Sequence, residues 1–592
     1  MKRLFALALA AALLLSGCGK DGPIIAETTS PSPTASGADF SQAQGEMFSA
    51  RDLRAEFDES AAVRITLEGS TARASSNSVK ISGSRVQITQ EATYLISGTL
   101  DDGMLIVDAP DSAKVHLVFR DAHITSTTCA ALYILQADKV VLTLAPGSDN
   151  SLRSTGGFQA LDGNNIDAAL FSKEDLSING SGSLAVSSYE GHGIVCKDDL
   201  VVAGGQLQIE AASHAMDAND SIRFASAQLS ATAGKDGLHC ENSDDASLGF
   251  VYIQSGSLAL QAEGDGISAG SYLHIAGGEF EITSGGGSEN GQKQASDNWG
   301  GFMGGGHGGG PGGRPGSRPE ETGTSEESST SMKGLKAAEL RVDSGSFTLN
   351  CADDALHSNG SMTVNGGDYQ IATGDDALHA EQTLTVNGGD IQISTSYEGL
   401  EALNVSVCGG NIRLAATDDG LNAAGGTDSS GFTGGRDGMF GGRGPGGSGN
   451  SKGSILISGG TLYIEASGDG IDANGYIEIT GGYTTVAGPT QGDTATLDYD
   501  TQATISGGTF IGTGASGMAQ TFSSSSQGVI SVSAGSQAAG TPITLTDEAG
   551  NVIISYAPEL AFQVVILSTP DMVSGQRYSI AVGAQSGEFE AE

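Results

Sequence analysis

An acidic residue followed by Gly or Ala and then Leu recurs at Asp354, Asp376, Glu398 and Asp419, at spacings of 22, 22 and 21 residues. Between these points lies a second constant element, an apolar run broken by a Gly-Gly turn, as in Val364-Asn365-Gly366-Gly367 and Val386-Asn387-Gly388-Gly389. A fixed period of this length with short alternating runs is the mark of a stacked repeat, one coil per period. Each period holds about three short strands and leaves no room for a helix. The expected fold is all-β, a right-handed parallel β-helix with coils of about 22 residues and a β cap at each end.

In such a stack, equivalent residues of successive coils lie about 4.8 Å apart. A row of carboxylates at that spacing repels itself unless something neutralises it. A hard divalent cation held by oxygen ligands is the economical solution, and calcium is the expected cofactor. The candidate calcium ligands are Asp236, Asp265, Asp353, Asp354, Asp375, Asp376, Glu398, Asp418, Asp419 and Asp469. A turn-forming role, in which Asp side chains accept from backbone amides, accounts for one Asp per turn. It accounts less well for the doubled acids at 353–354, 375–376 and 418–419.

Three residues past the acid the position is again polar, at His239, His357, His379, Glu401, Asn422 and Asp472. With Leu356 and Leu378 pointing inward, His357 and His379 are expected to point outward and stack, where they would meet sugar. Tyr397 and Trp299 are the other candidate carbohydrate contacts. A transition-metal site at the imidazoles is the less favoured alternative. Lys333 and Lys336 take the acid and polar positions of one coil. A lysine acting as the base of a uronate lyase needs a lowered pKa, and neighbouring carboxylates raise it. A cation that breaks a run of like charge is the better role.

The remainder sets bounds. Of 592 residues, 90 are glycine and one is tryptophan, and the formal charge is −42, which argues against nucleic acid or an anionic membrane surface as partner. Lys2-Arg3 precedes an apolar run from Leu4 to Leu15 that ends Leu15-Ser16-Gly17-Cys18. This is a secretion signal of lipoprotein type, with Cys18 as the lipidated residue. Cys129, Cys196, Cys240, Cys351 and Cys408 form no CxxC pair and are expected as small buried residues without a disulfide framework. The organisation is then a signal peptide at 1–18, a Ser/Thr/Pro-rich tether at 19–50, an N-terminal cap and first coils at 51–151, coils at 152–515 and a C-terminal β cap at 516–592. Gly-rich insertions at 285–331 and 425–452 interrupt the coils and are expected to be mobile.

Several stretches carry a family resemblance: Thr93-Tyr94 through Asp101-Asp102-Gly103, Val115 through Phe119, Ala137 through Asn150, and the ending Ser568 through Val582. They resemble the bacterial carbohydrate-binding β-helix domain of clostridial surface lipoproteins, over roughly residues 45 to 592. The resemblance implies a pectate-lyase-like fold, bound calcium, and binding of cellulose and acidic plant polysaccharide without cleavage. The expectation is therefore a non-catalytic, calcium-dependent polysaccharide-binding protein, monomeric, extracellular and lipid-anchored to the bacterial membrane. A calcium-dependent polysaccharide lyase and a surface adhesin with protein partners are the alternatives.

Overall fold

The computed structural model describes residues 47–291, 331–423, 453–490, 492 and 494–592. The chain is all-β over these residues, with one short 3-10 turn at Ser288–Asn290. Three ladders of parallel strands account for most of it. In one, Asp368–Thr373, Asp390–Ser396, Asn411–Ala416 and Thr461–Ala466 pair in sequence order. A second runs through Leu132–Gln136, Ala168–Ser172, His192–Cys196, Met216–Ala218 and Leu238–Cys240. The third runs through Asp175–Gly180, Asp199–Val202, Ser221–Phe224 and Phe250–Ile253. The sequence period is thus the pairing register: Leu356 pairs with Leu378 and Leu378 with Leu400, each 22 residues on.

The ladders hold register across both insertions, with Ile267 opposite Leu335 and Ile412 opposite Leu462. Residues 292–330 and 424–452, with Trp299, lie outside the described residues, as does Cys18. At the C-terminal side Phe562–Ser568 runs antiparallel to Thr509–Gly514 and Val529–Gln537, which ends the parallel pairing. Beyond it a separate antiparallel sheet forms from Ile543–Thr546, Val552–Tyr556, Arg577–Val582 and Gln585–Glu590.

Inward residues stack on their equivalents. Phe280, Phe347 and Tyr369 form a column with centroids 4.7 and 4.6 Å apart and planes within 5°. Tyr369 is 1% exposed, with its hydroxyl donating to the Gly366 carbonyl. Four cysteines fill the interior as expected, whereas Cys408 is exposed because it follows the last inward residue of its strand, Val407.

The Gly-Gly corners have a steric cause. Gly389 has φ 111°, and a Cβ there would lie 2.9 Å from the carbonyl oxygen of Gly367, the same corner one repeat earlier. Gly83 also has positive φ, at 59°, but a Cβ there meets nothing. Gly389→Ala should therefore cost about 1–3 kcal/mol and Gly83→Ala distinctly less. Equilibrium denaturation of both variants checks this, and equal losses would contradict stacking as the reason for the corner glycines.

Candidate metal centre in two rows of titratable side chains

The turn that enters the second ladder presents two rows. Parallel pairing places the acid position of each repeat beside that of the next, and the position three residues later likewise. The second row reads Asp217, His239, Ser268, Lys336, His357, His379, Glu401, Asn422, Asp472 and Asp498 in register.

In the first row, one carboxylate oxygen accepts from the backbone N–H of the equivalent residue one repeat on. Asp236 Oδ1 accepts from Asp265 at 2.8 Å, Asp265 Oδ1 from Lys333 at 2.8 Å, Asp354 Oδ1 from Asp376 at 3.1 Å and Asp376 Oδ1 from Glu398 at 3.0 Å. Asp419 Oδ1 accepts from Asp469 at 2.5 Å, and Asp469 Oδ1 from Ala495. Turn chemistry is therefore real here, but it uses one oxygen. The other oxygen faces the second row.

Over the earlier repeats that second oxygen meets a cationic or imidazole group. Lys333 Nζ lies 2.8 Å from Asp353 Oδ1 and 2.7 Å from Asp354 Oδ2, and Lys336 Nζ lies 3.4 Å from Asp265 Oδ2. Imidazole Nδ1 atoms meet Oδ2 in the i, i+3 relation at His239–Asp236, 3.0 Å, His357–Asp354, 2.8 Å, and His379–Asp376, 3.3 Å. Burial opposes ionisation of Asp354, yet Lys333 and the two neighbouring histidines hold its carboxyl well below the usual range. Burial likewise disfavours the charged form of His379, but Glu401 with Asp376 and Asp354 pushes it up to about 10.

The expected outward orientation of His357 and His379 is not what forms. They are 2% and 3% exposed, and their rings sit 5.1 Å apart but tilted by 46°. The buried acids below them draw each ring inward as a hydrogen-bond partner. Lys333, 3% exposed and held between two carboxylates, is not placed to reach a polymer. Tyr397 is half-buried, with its N–H bonded to the Asp375 carbonyl at 2.8 Å. Asp375 sits with Asp353 and Asp354 in one carboxylate cluster.

Beyond His379 the compensation stops. Among the described residues, no Lys, Arg or His forms an ion pair with Glu398, Asp418, Asp419 or Asp472. Burial and then Glu401, Asp376 and Asp419 raise the Glu398 carboxyl well above its usual range. Burial and then Asp418, Asp469 and Asp472 do the same to Asp419. Asp472 is pushed up to about 8 by burial and then by Asp469, Asp498 and Asp500. Oxygens of Asp419, Asp469 and Asp472 come within 4.8 Å of one another. Asn422, in register with Asp472, donates its Nδ2 to Glu398 at 2.8 Å, and its Oδ1 is buried without a partner. Asp472 and Asn422 were visible in sequence as polar positions, but which acids lacked a cation depended on the register of two rows.

The family model described as "Carbohydrate-binding domain-containing protein" matches residues 82–377. A protein of that same description from Acetivibrio thermocellus is 28% identical over 210 residues, covering 35% of this chain and 73% of its relative. A solved structure titled "Structure of the polysaccharide lyase-like protein from C. thermocellum, Gadolinium derivative" is also 28% identical. It covers 37% of this chain and 94% of that chain at a TM-score of 0.35, a superposition too loose to bear on the fold.

The raised Asp472 carboxyl has a defined effect on stability. Unfolded, it ionises near 3.8, while folded it keeps its proton to about 8. The native state therefore binds more protons between these values, and this group's stabilisation is lost as pH rises through them. In chelator, wild-type stability should fall more steeply from about pH 4 to about pH 8 than that of Asp472→Asn. Parallel pH profiles of denaturation midpoint would contradict the assignment.

Proposed function

The chain belongs to the family of carbohydrate-binding domain-containing proteins, and from that premise we propose that it binds a polysaccharide without cleaving it, through calcium held at Asp419 and Asp472, which form no ion pair with a Lys, Arg or His among the described residues. The supporting observation is the contrast along the rows. Lys333 already fills the space between Asp353 and Asp354. Asp419, Asp469 and Asp472 instead converge as three carboxylates, next to the spare oxygen of Asn422. Hard oxygen donors with mutual repulsion fit a hard dication, which removes the repulsion and supplies a positive centre for a carboxylated sugar. Calcium at Asp236, Asp354 or Asp376 is less favoured than the sequence alone suggested, because imidazole or ammonium groups already meet those oxygens.

The three parallel ladders and their 22-residue register support a right-handed parallel β-helix closed by a β cap at each end. An extended stacked surface of that kind suits a polymer. The leader ending at Cys18 supports a secreted, lipid-anchored protein at the cell surface. A non-catalytic role is supported by Lys333, whose ammonium is buried between two acids and cannot act as an accessible base.

Calcium should stabilise the protein by about 2.7 kcal/mol at a hundredfold excess over its Kd. Asp419→Asn with Asp472→Asn should abolish most of that response. Pull-down on polygalacturonate should weaken in chelator and in the double variant, while retention on cellulose, a neutral chain, should change little. Calcium-dependent release of unsaturated uronate would overturn the non-catalytic reading, and calcium-independent retention on polygalacturonate would overturn the bridging role.

A further inference from the structure

At the N-terminal end of the same rows the donor chemistry changes from oxygen to nitrogen. His192 and His214 occupy the acid position of their repeats, and His239 stands three residues past Asp236. Their rings form a column, His192 to His214 at 5.1 Å and 17°, then His214 to His239 at 4.5 Å and 22°. Nδ1 of His214 and Nδ1 of His239 lie 3.2 and 3.0 Å from the same atom, Asp236 Oδ2. The other oxygen of Asp236 is already bonded to the Asp265 N–H.

One contact assigns the tautomer. The backbone N–H of Asp236 donates to His214 Nδ1 at 3.2 Å, the same ladder bond that carboxylate oxygens accept in later repeats. His214 Nδ1 therefore carries its one lone pair rather than a proton, 3.2 Å from Asp236 Oδ2, and a metal bound there would take that lone pair over from the N–H. Two acceptor atoms so close call for a cation between them. At Asp354 the ammonium of Lys333 meets that need, but among the described residues no Lys or Arg pairs with Asp236.

The donor set is also accessible. Unlike His357 and His379, it opens on a pocket of about 750 Å³ whose walls include Glu241, Glu263, Ser268 and Lys336. A zinc-class ion holds nitrogen and oxygen ligands at about 2.0–2.2 Å, which puts neighbouring donors of a tetrahedral shell about 3.3 Å apart. The two N···O separations are close to that spacing. Two imidazoles and one carboxylate are a borderline donor set that suits zinc, cobalt or nickel and suits calcium poorly.

We propose that His214, Asp236 and His239 bind a divalent transition-metal ion of the zinc class, at a site chemically distinct from the carboxylates around Asp419. Three protein ligands leave a coordination position open toward the pocket, where water or a sugar oxygen completes the shell. His192, packed against His214, holds that ring in place. The inference does not depend on the carbohydrate reading.

The test uses untagged full-length protein, equilibrium dialysis against zinc in a thousandfold excess of calcium, and visible absorption of bound cobalt(II). One equivalent of zinc per chain should be retained, and affinity should fall by at least about tenfold in His214→Ala and in His239→Gln. Asp419→Asn should retain zinc, separating this site from the calcium reading. Failure of the wild-type protein to retain zinc against calcium would overturn the proposal, whatever the folding of the variants. Zinc retained at unchanged affinity in both histidine variants would overturn it equally.

Discussion

Six acids of the first row, Asp236, Asp265, Asp354, Asp376, Asp419 and Asp469, are each tied by one oxygen to the backbone N–H one repeat ahead. This bond fixes the rest of the site. It locks the carboxyl group at the strand entrance, buries it, and turns the second oxygen toward the neighbouring row. A buried carboxylate so placed must find a cation, keep a proton or recruit an ion from solvent. The protein uses the first solution for its earlier repeats and leaves the last two open for its later ones.

That division gives one continuous fold two electrostatic regions. Around Lys333 and His379 the charges close on themselves and serve stability. Around Asp419 and Asp472 they do not close, and burial then works against ionisation. A native structure retains such a region at a cost in stability, so a cation that binds there stabilises the fold and changes the surface offered to a ligand. In the proposed function, calcium dependence and polysaccharide binding are linked through the same carboxylates. The imidazole column at the other end extends this logic with a softer donor set.

Much of the architecture was legible because the period is written twice, in the acids and in the Gly-Gly corners. The spacing of Asp354 and Asp376 is the pairing register itself. Asp265, Asp354, Asp376 and Asp419 could be aligned by eye for the same reason. What could not be read was direction. Leu378 points inward as expected, but His379 is also buried, because the strand entrance is a corner where strict alternation of faces fails. Nor could the sequence show that Lys333 bridges two acids while Asp472 has no such partner among the described residues, since that depends on two rows meeting across a turn. Asn365 illustrates the same limit. Its amide donates to Asp343 and accepts from Asn387, a ladder of corner side chains visible only once the repeats are stacked.

The central claim is that the carboxylates around Asp419 and Asp472 hold protons in the absence of a cation and surrender them when one binds. Calorimetric titration of calcium into metal-free protein at pH 7, repeated in buffers of different ionisation enthalpy, measures this directly. The account predicts binding coupled to net proton release, with the release reduced in Asp472→Asn. Binding with no proton release, or no binding at all, would contradict it.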